Sequence, residues 1–251
     1  IAKVFQGIDT LDLTSALGGV DLFLIISRLP SSVAHLTLKH TPSHLDKIWD
    51  VTIPEHLESL SFISGTFNLV ASSSCNLRQL SMYPGRITFL DPRLATEIRQ
   101  LRIVIRNKGE LEVIRLMPHL EQLSLDCTMT TSDVNLLDGL LPLPASLKVL
   151  EISDMPCNET FLRGLPVGLT KLRCFMHPDV TDAICPILPR NLTSLALFRR
   201  WSERGSSAFS HPDHLLQLPP NLTYYDNSSH NLSVTGTAQY LPRKMRSSSY
   251  R

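Results

Sequence analysis

The sequence predicts an α/β repeat protein: a curved solenoid of about ten units, with a parallel β-sheet on the concave face and short helices or irregular returns on the convex face. Three observations carry this. The segment Leu143-Pro144-Ala145-Ser146-Leu147-Lys148-Val149-Leu150-Glu151-Ile152 sets a pattern, Leu-Pro-x-x-Leu-x-x-Leu-x-Leu, that the rest of the chain restates. Its middle apolar position reads Leu11, Leu36, Leu60, Leu80, Leu101, Leu123, Leu150, Leu172, Leu195 and Tyr225. By subtraction of those numbers the copies recur every 20 to 30 residues, which suits one strand plus one return segment per unit.

Each copy ends in apolar residues at spacings of three and two, as expected of a turn feeding a short strand with period-two alternation. In order the copies centre on Leu11-x-Leu13, Leu36-x-Leu38, Leu60-x-Phe62, Leu80-x-Met82, Leu101-x-Ile103, Leu123-x-Leu125, Leu150-x-Ile152, Leu172-x-Cys174, Leu195-x-Leu197 and a fading Tyr225-x-Asn227. Prolines 30, 54, 118, 144, 166, 189 and 219 precede many of them. Lacking an N–H and fixed in φ, proline suits the turn into a strand and not its middle. Among the returns, residues 110–116 and 133–138 read as short helices, the second capped by Ser132, whereas residues 65–74 are polar and read as irregular. The organisation is therefore a repeat array over residues 1–227, followed by residues 228–251 as a degenerate C-terminal repeat or cap, or a basic Ser-rich tail.

These residues resemble the leucine-rich-repeat superfamily over about residues 5 to 227. The Leu-Pro opening, with Phe67-Asn68 in one return, is similar to the FNIP-type repeats of amoebae and of some fungal and bacterial proteins. The Asn that common leucine-rich repeats carry after the last Leu is replaced here by Thr41, Gly65, Gly85, Arg106, Thr128, Met155, His177 and Arg200. The resemblance implies stacked units sharing one core and an exposed strand face that binds a partner. It also raises a second class, the substrate-recognition part of an F-box-type ubiquitin ligase adaptor whose F-box lies outside this segment.

Composition narrows the function classes. The chain is 43% hydrophobic and 19% charged, with a formal net charge of +1, so no global field draws it to nucleic acid or an anionic membrane. The run Leu22 to Ile26 is too short to span a bilayer. Five widely spaced cysteines, 75, 127, 157, 174 and 185, are not a secreted disulfide framework and favour an intracellular setting. Five Asn-x-Ser/Thr sequons, at Asn158, Asn191, Asn221, Asn227 and Asn231, stand against that setting, although Asn191 and Asn221 are also repeat positions.

No cofactor, metal site or catalytic residue is expected. His35, His40, His44 and His56, or Cys174, His177 and Cys185, lack the close paired spacing of structural zinc ligands. His177-Pro178-Asp179 and His211-Pro212-Asp213 share a tripeptide with co-chaperone J-domains, but in strand-led returns each reads as a turn with His and Asp exposed. No phosphate loop or nucleophile elbow is present.

The informative surface is the exposed side of the strands, where alternation places the residues flanking the last two apolar positions. Most are small or polar, among them Ser61, Ser81 and Gln100, with Tyr83, Val104 and Ala196 on the same side. One stretch differs: Lys171, Arg173, Phe175, Phe198, Arg199, Arg200, Trp201 and Tyr224 combine rings with cations. That is the composition of interface hot spots. The rings are either anchors for a partner or are covered by the C-terminal cap. As anchors they would take a protein or peptide, acidic and with an apolar side chain; without a continuous basic stripe, nucleic acid is not the expected ligand.

Overall fold

In the computed structural model, the structure describes residues 7–13, 26–39, 48–72, 74–83, 86–106, 109–127, 136–177, 179–198 and 216–226. The molecule is mostly parallel sheet with few helices, an α/β repeat-like fold that divides into two compact units, Ile1–Thr128 and Met129–Arg251.

In the first unit the copies of the apolar pattern become β1 (Thr10–Leu13), β2 (His35–Lys39), β4 (Ser59–Ile63), β6 (Gln79–Met82), β8 (Gln100–Ile105) and β9 (Gln122–Cys127), hydrogen-bonded in that order. Every pair is parallel, and the pattern's middle leucines face one another: Leu11 with Leu36, then Leu60, Leu80, Leu101 and Leu123. All six are buried. In the second unit β10 (Val149–Cys157), β11 (Lys171–Met176), β12 (Ser194–Phe198) and β13 (Tyr224–Asp226) repeat the scheme, Leu150 facing Leu172, then Leu195 and Tyr225.

Strand entry is built the same way each time. The carbonyl of the residue before the strand accepts two successive N–H groups from the next copy: Asp9 from Ala34 and His35, Ala34 from Glu58 and Ser59, Lys148 from Thr170 and Lys171, all at 2.8 to 3.0 Å. Upstream, the carbonyls of Pro30, Pro54, Pro144, Pro166, Pro189 and Pro219 each accept the N–H three residues on, so proline opens a β-turn as its first residue. Copy six differs because Pro118 stands one residue closer to its leucine; there Met117 supplies the carbonyl to Leu120. Asparagine just before the first leucine ties neighbouring turns together, Asn76 Nδ2 donating to Glu55 O and Asn191 Nδ2 to Val167 O, both at 2.9 Å. Asn158, Asn191 and their sequons thus sit where the fold uses the side chain: Asn158 Nδ2 donates to Asp138 Oδ2 and its Oδ1 caps α3 (Glu159–Arg163) through Phe161 N.

The returns of the first unit depart from expectation. Residues 65–74, expected to be irregular, contain β5 (Thr66–Ala71), the centre of a second parallel sheet with β3 (Ile48–Ile53) and β7 (Arg86–Leu90). The reason is visible in β5 itself: Phe67, Leu69 and Ala71 alternate inward and are buried, while Thr66, Asn68 and Val70 face outward. Asn68 then links the strands, donating to Asp50 and accepting from Thr88, both at 2.7 Å. The turn into β5 passes through Ser64 and Gly65 at positive φ, and a Cβ on Gly65 would stand 2.6 Å from the Phe67 ring. Phe67 in turn stacks on Phe62 of β4, centroids 4.0 Å apart at 19°, joining the two sheets through one core.

The described returns of this unit include the short helices α1 (Pro92–Glu97) and α2 (Gly109–Arg115), the second matching the helix predicted at 110–116. In the second unit the helix predicted at 133–138 falls largely outside the described residues, and the first described element there is a 3-10 turn at Leu137–Leu140. The C-terminal stretch 228–251 is likewise outside them. No helix among the described residues is long and apolar enough to cross a membrane.

Asp91 fastens α1 to β5. Its carboxylate accepts the Ala71 and Arg93 N–H groups at 3.1 and 2.9 Å and pairs with the Arg93 guanidinium at 2.9 Å, while Arg93 also reaches the Ala71 and Ser72 carbonyls. The Arg93 side chain, followed by its backbone N–H, holds the Asp91 carboxyl down at about 2, against an ordinary 3.8. A depressed folded value means the stabilisation is complete above the ordinary value and is lost as pH falls from there through about 2. Asp91→Asn is expected to cost about 1–3 kcal/mol at neutral pH and to flatten the fall in melting temperature between pH 4 and 2 relative to wild type. Parallel acid profiles of the two proteins would contradict the assignment.

Candidate recognition site on strands β10 to β13

Three strands of the second unit position the sequence-predicted residues. The register pairs Lys171 with Ser194, Arg173 with Ala196 and Phe175 with Phe198, so the two rings from copies 23 residues apart lie side by side. Their centroids are 5.4 Å apart at 40°, a tilted aromatic pair, and both rings are half-buried. β13 adds Tyr224 opposite Ser194, exposed at 53%.

The surface is a groove and not a flat patch, because β12 carries short side chains at Ser194 and Ala196 between strands bearing long ones. The resulting hollow is about 390 Å³ and is lined by Lys171, Leu172, Arg173, Ser194, Ala196, Phe198 and Tyr224. Ala196, expected on the exposed side, is only 7% exposed for the same reason: it is the floor. Val104, also expected on the exposed side, is corrected to 1% exposed.

The cations do not play equal parts. Lys171 Nζ contacts Glu151 Oε1 at 2.6 Å, a cross-strand ion pair that sequence reasoning missed. The sign pattern Glu151, Arg173 in one column beside Val149, Lys171 in the next was the only available hint. Arg173 instead lays its guanidinium over the Phe198 ring, 5.1 Å from the centroid, and no carboxylate among the described residues pairs with it. Arg199, Arg200 and Trp201 lie outside the described residues.

A second aromatic contact occurs in the first unit, where Arg102 sits 4.7 Å over the exposed Tyr83 ring but is also 3.4 Å from Asp126. Chemistry elsewhere is sparse. No disulfide links the five cysteines, and four of them, Cys127, Cys157, Cys174 and Cys185, are buried. Burial, then a hydrogen bond with Cys174, pushes the Cys157 thiol well above its ordinary value, so it stays protonated at neutral pH. His177 is half-buried and not exposed as expected; its Nδ1 accepts the Asp179 N–H at 3.3 Å, a local turn, while His211 to Asp213 lies outside the described residues. Among the described residues no group of three His, Cys, Asp or Glu is placed to hold a metal ion. No protein-family model and no curated protein matches the chain.

Proposed function

We propose that the chain is a non-enzymatic recognition module of the leucine-rich-repeat kind, a solenoid of about ten repeats whose exposed strand face binds a protein or peptide. One observation carries the reading: the groove on β11 to β13 holds half-exposed aromatic surface around a small-residue floor. Large rings facing water cost free energy unless something covers them, and a hollow of this size accepts one or two side chains of a partner. Aromatic anchors in such settings supply most interface energy. The polar faces of β4 and β6, built from Ser61 and Ser81, offer little comparable area.

The test begins with affinity capture from the source cells, identification of what is retained, and reconstitution with that protein purified. The Phe175→Ala, Phe198→Ala double variant is expected to weaken the purified pair tenfold or more, about 1.4 kcal/mol, while keeping a cooperative melting transition. Ser61→Ala, Ser81→Ala should bind as wild type. Undiminished binding in the Phe variant, with loss in the Ser variant, would move the site to the first unit.

A further inference from the structure

Resting on that reading, we infer that Arg173, and not Lys171, is the specificity-determining residue of the groove, and that it reads one carboxylate adjacent to an apolar side chain in a peptide. Both residues are cations on β11 lining the same hollow. What separates them is their present partners. Lys171 is already neutralised by Glu151 at 2.6 Å, so a ligand carboxylate approaching it would have to displace a resident one. Arg173 makes no ion pair among the described residues: Glu151, which stands opposite it in the strand register, is paired with Lys171.

The Phe198 ring covers one face of the Arg173 guanidinium. Stacking of this kind leaves the in-plane N–H groups open and limits the rotamers of a side chain that otherwise loses much entropy on binding. A planar fork held edge-outward matches a carboxylate bidentately. Beyond the two cations and the Ser194 hydroxyl, the lining is apolar, formed by Leu172, Ala196, Phe198 and the Tyr224 ring, so the group next to that carboxylate is an aliphatic or aromatic side chain. An isolated small anion would leave this area uncovered, which is why the ligand is a peptide segment and not a free anion.

The experiment titrates isotope-labelled full chain with acetyl-Leu-Asp-Leu-amide and with its Asn counterpart, following the backbone amides of Ser194, Ala196 and Phe198. The Asp peptide is expected to saturate these shifts at a concentration at least fivefold lower than the Asn peptide. Arg173→Gln should abolish that preference, and Arg173→Lys should lose most of it, because charge is kept but the stacked fork is not. The Glu151→Gln, Lys171→Gln double variant, which removes the ion pair without changing net charge, should retain it. Retention of the preference in Arg173→Gln, or its loss in the double variant, would overturn the assignment. Equal binding of both peptides to wild type would overturn it while leaving the groove a recognition site. Absence of saturable shifts with either peptide would remove the groove reading itself.

Discussion

Phe67→Ala is expected to cost about 3–5 kcal/mol, as for large aromatic truncations in close-packed cores. The ring has no solvent exposure and stacks on Phe62, so its removal opens a void between two sheets that cannot readily collapse onto each other. Backbone geometry makes the site stiffer still, since the Gly65 turn at φ +111 packs directly against that ring. Phe89 is the matched control. It lies on β7 of the same three-stranded sheet but is 49% exposed, and Phe89→Ala should cost under about 1 kcal/mol. Urea denaturation of the three proteins decides it, and equal midpoint shifts for the two variants would remove Phe67 from the core.

Leu150→Ala is expected to cost about 2–5 kcal/mol, by emptying the centre of the second unit's core, where Leu150 has no exposure and faces Leu172 across the sheet. Lys148→Ala, two residues away, should cost under about 0.5 kcal/mol. The contrast is informative because the Lys148 backbone carbonyl accepts the Thr170 and Lys171 N–H groups and the Thr170 hydroxyl. Alanine keeps that carbonyl. Comparable melting shifts for the two variants would mean that the strand register is misassigned.

What the sequence by itself determined is the strand ladder and its register. A leucine at the same offset in successive copies has a single way to stay out of water on a parallel sheet, which is to stack on its counterpart, and a one-residue slip would turn each strand's apolar set outward. For that reason the side-by-side placement of Phe175 and Phe198 was legible from spacing alone. The second sheet was legible in principle, in the alternation of Phe67, Leu69 and Ala71, but Asn68 and the neighbouring serines mask it as a polar loop. Only tertiary structure decided the rest. Whether Ala196 is surface or floor depends on the height of Arg173 beside it, and whether Lys171 is available depends on Glu151, 20 residues earlier but one strand away. Asp91 caps α1 locally, but it ties that helix to the sheet only because β5 brings Ala71 N within 3.1 Å of it. In each case the deciding neighbour lies across the sheet and not along the chain. Periodicity specifies which face a residue takes, whereas side-chain length and charge on the adjoining strand specify what that face can do.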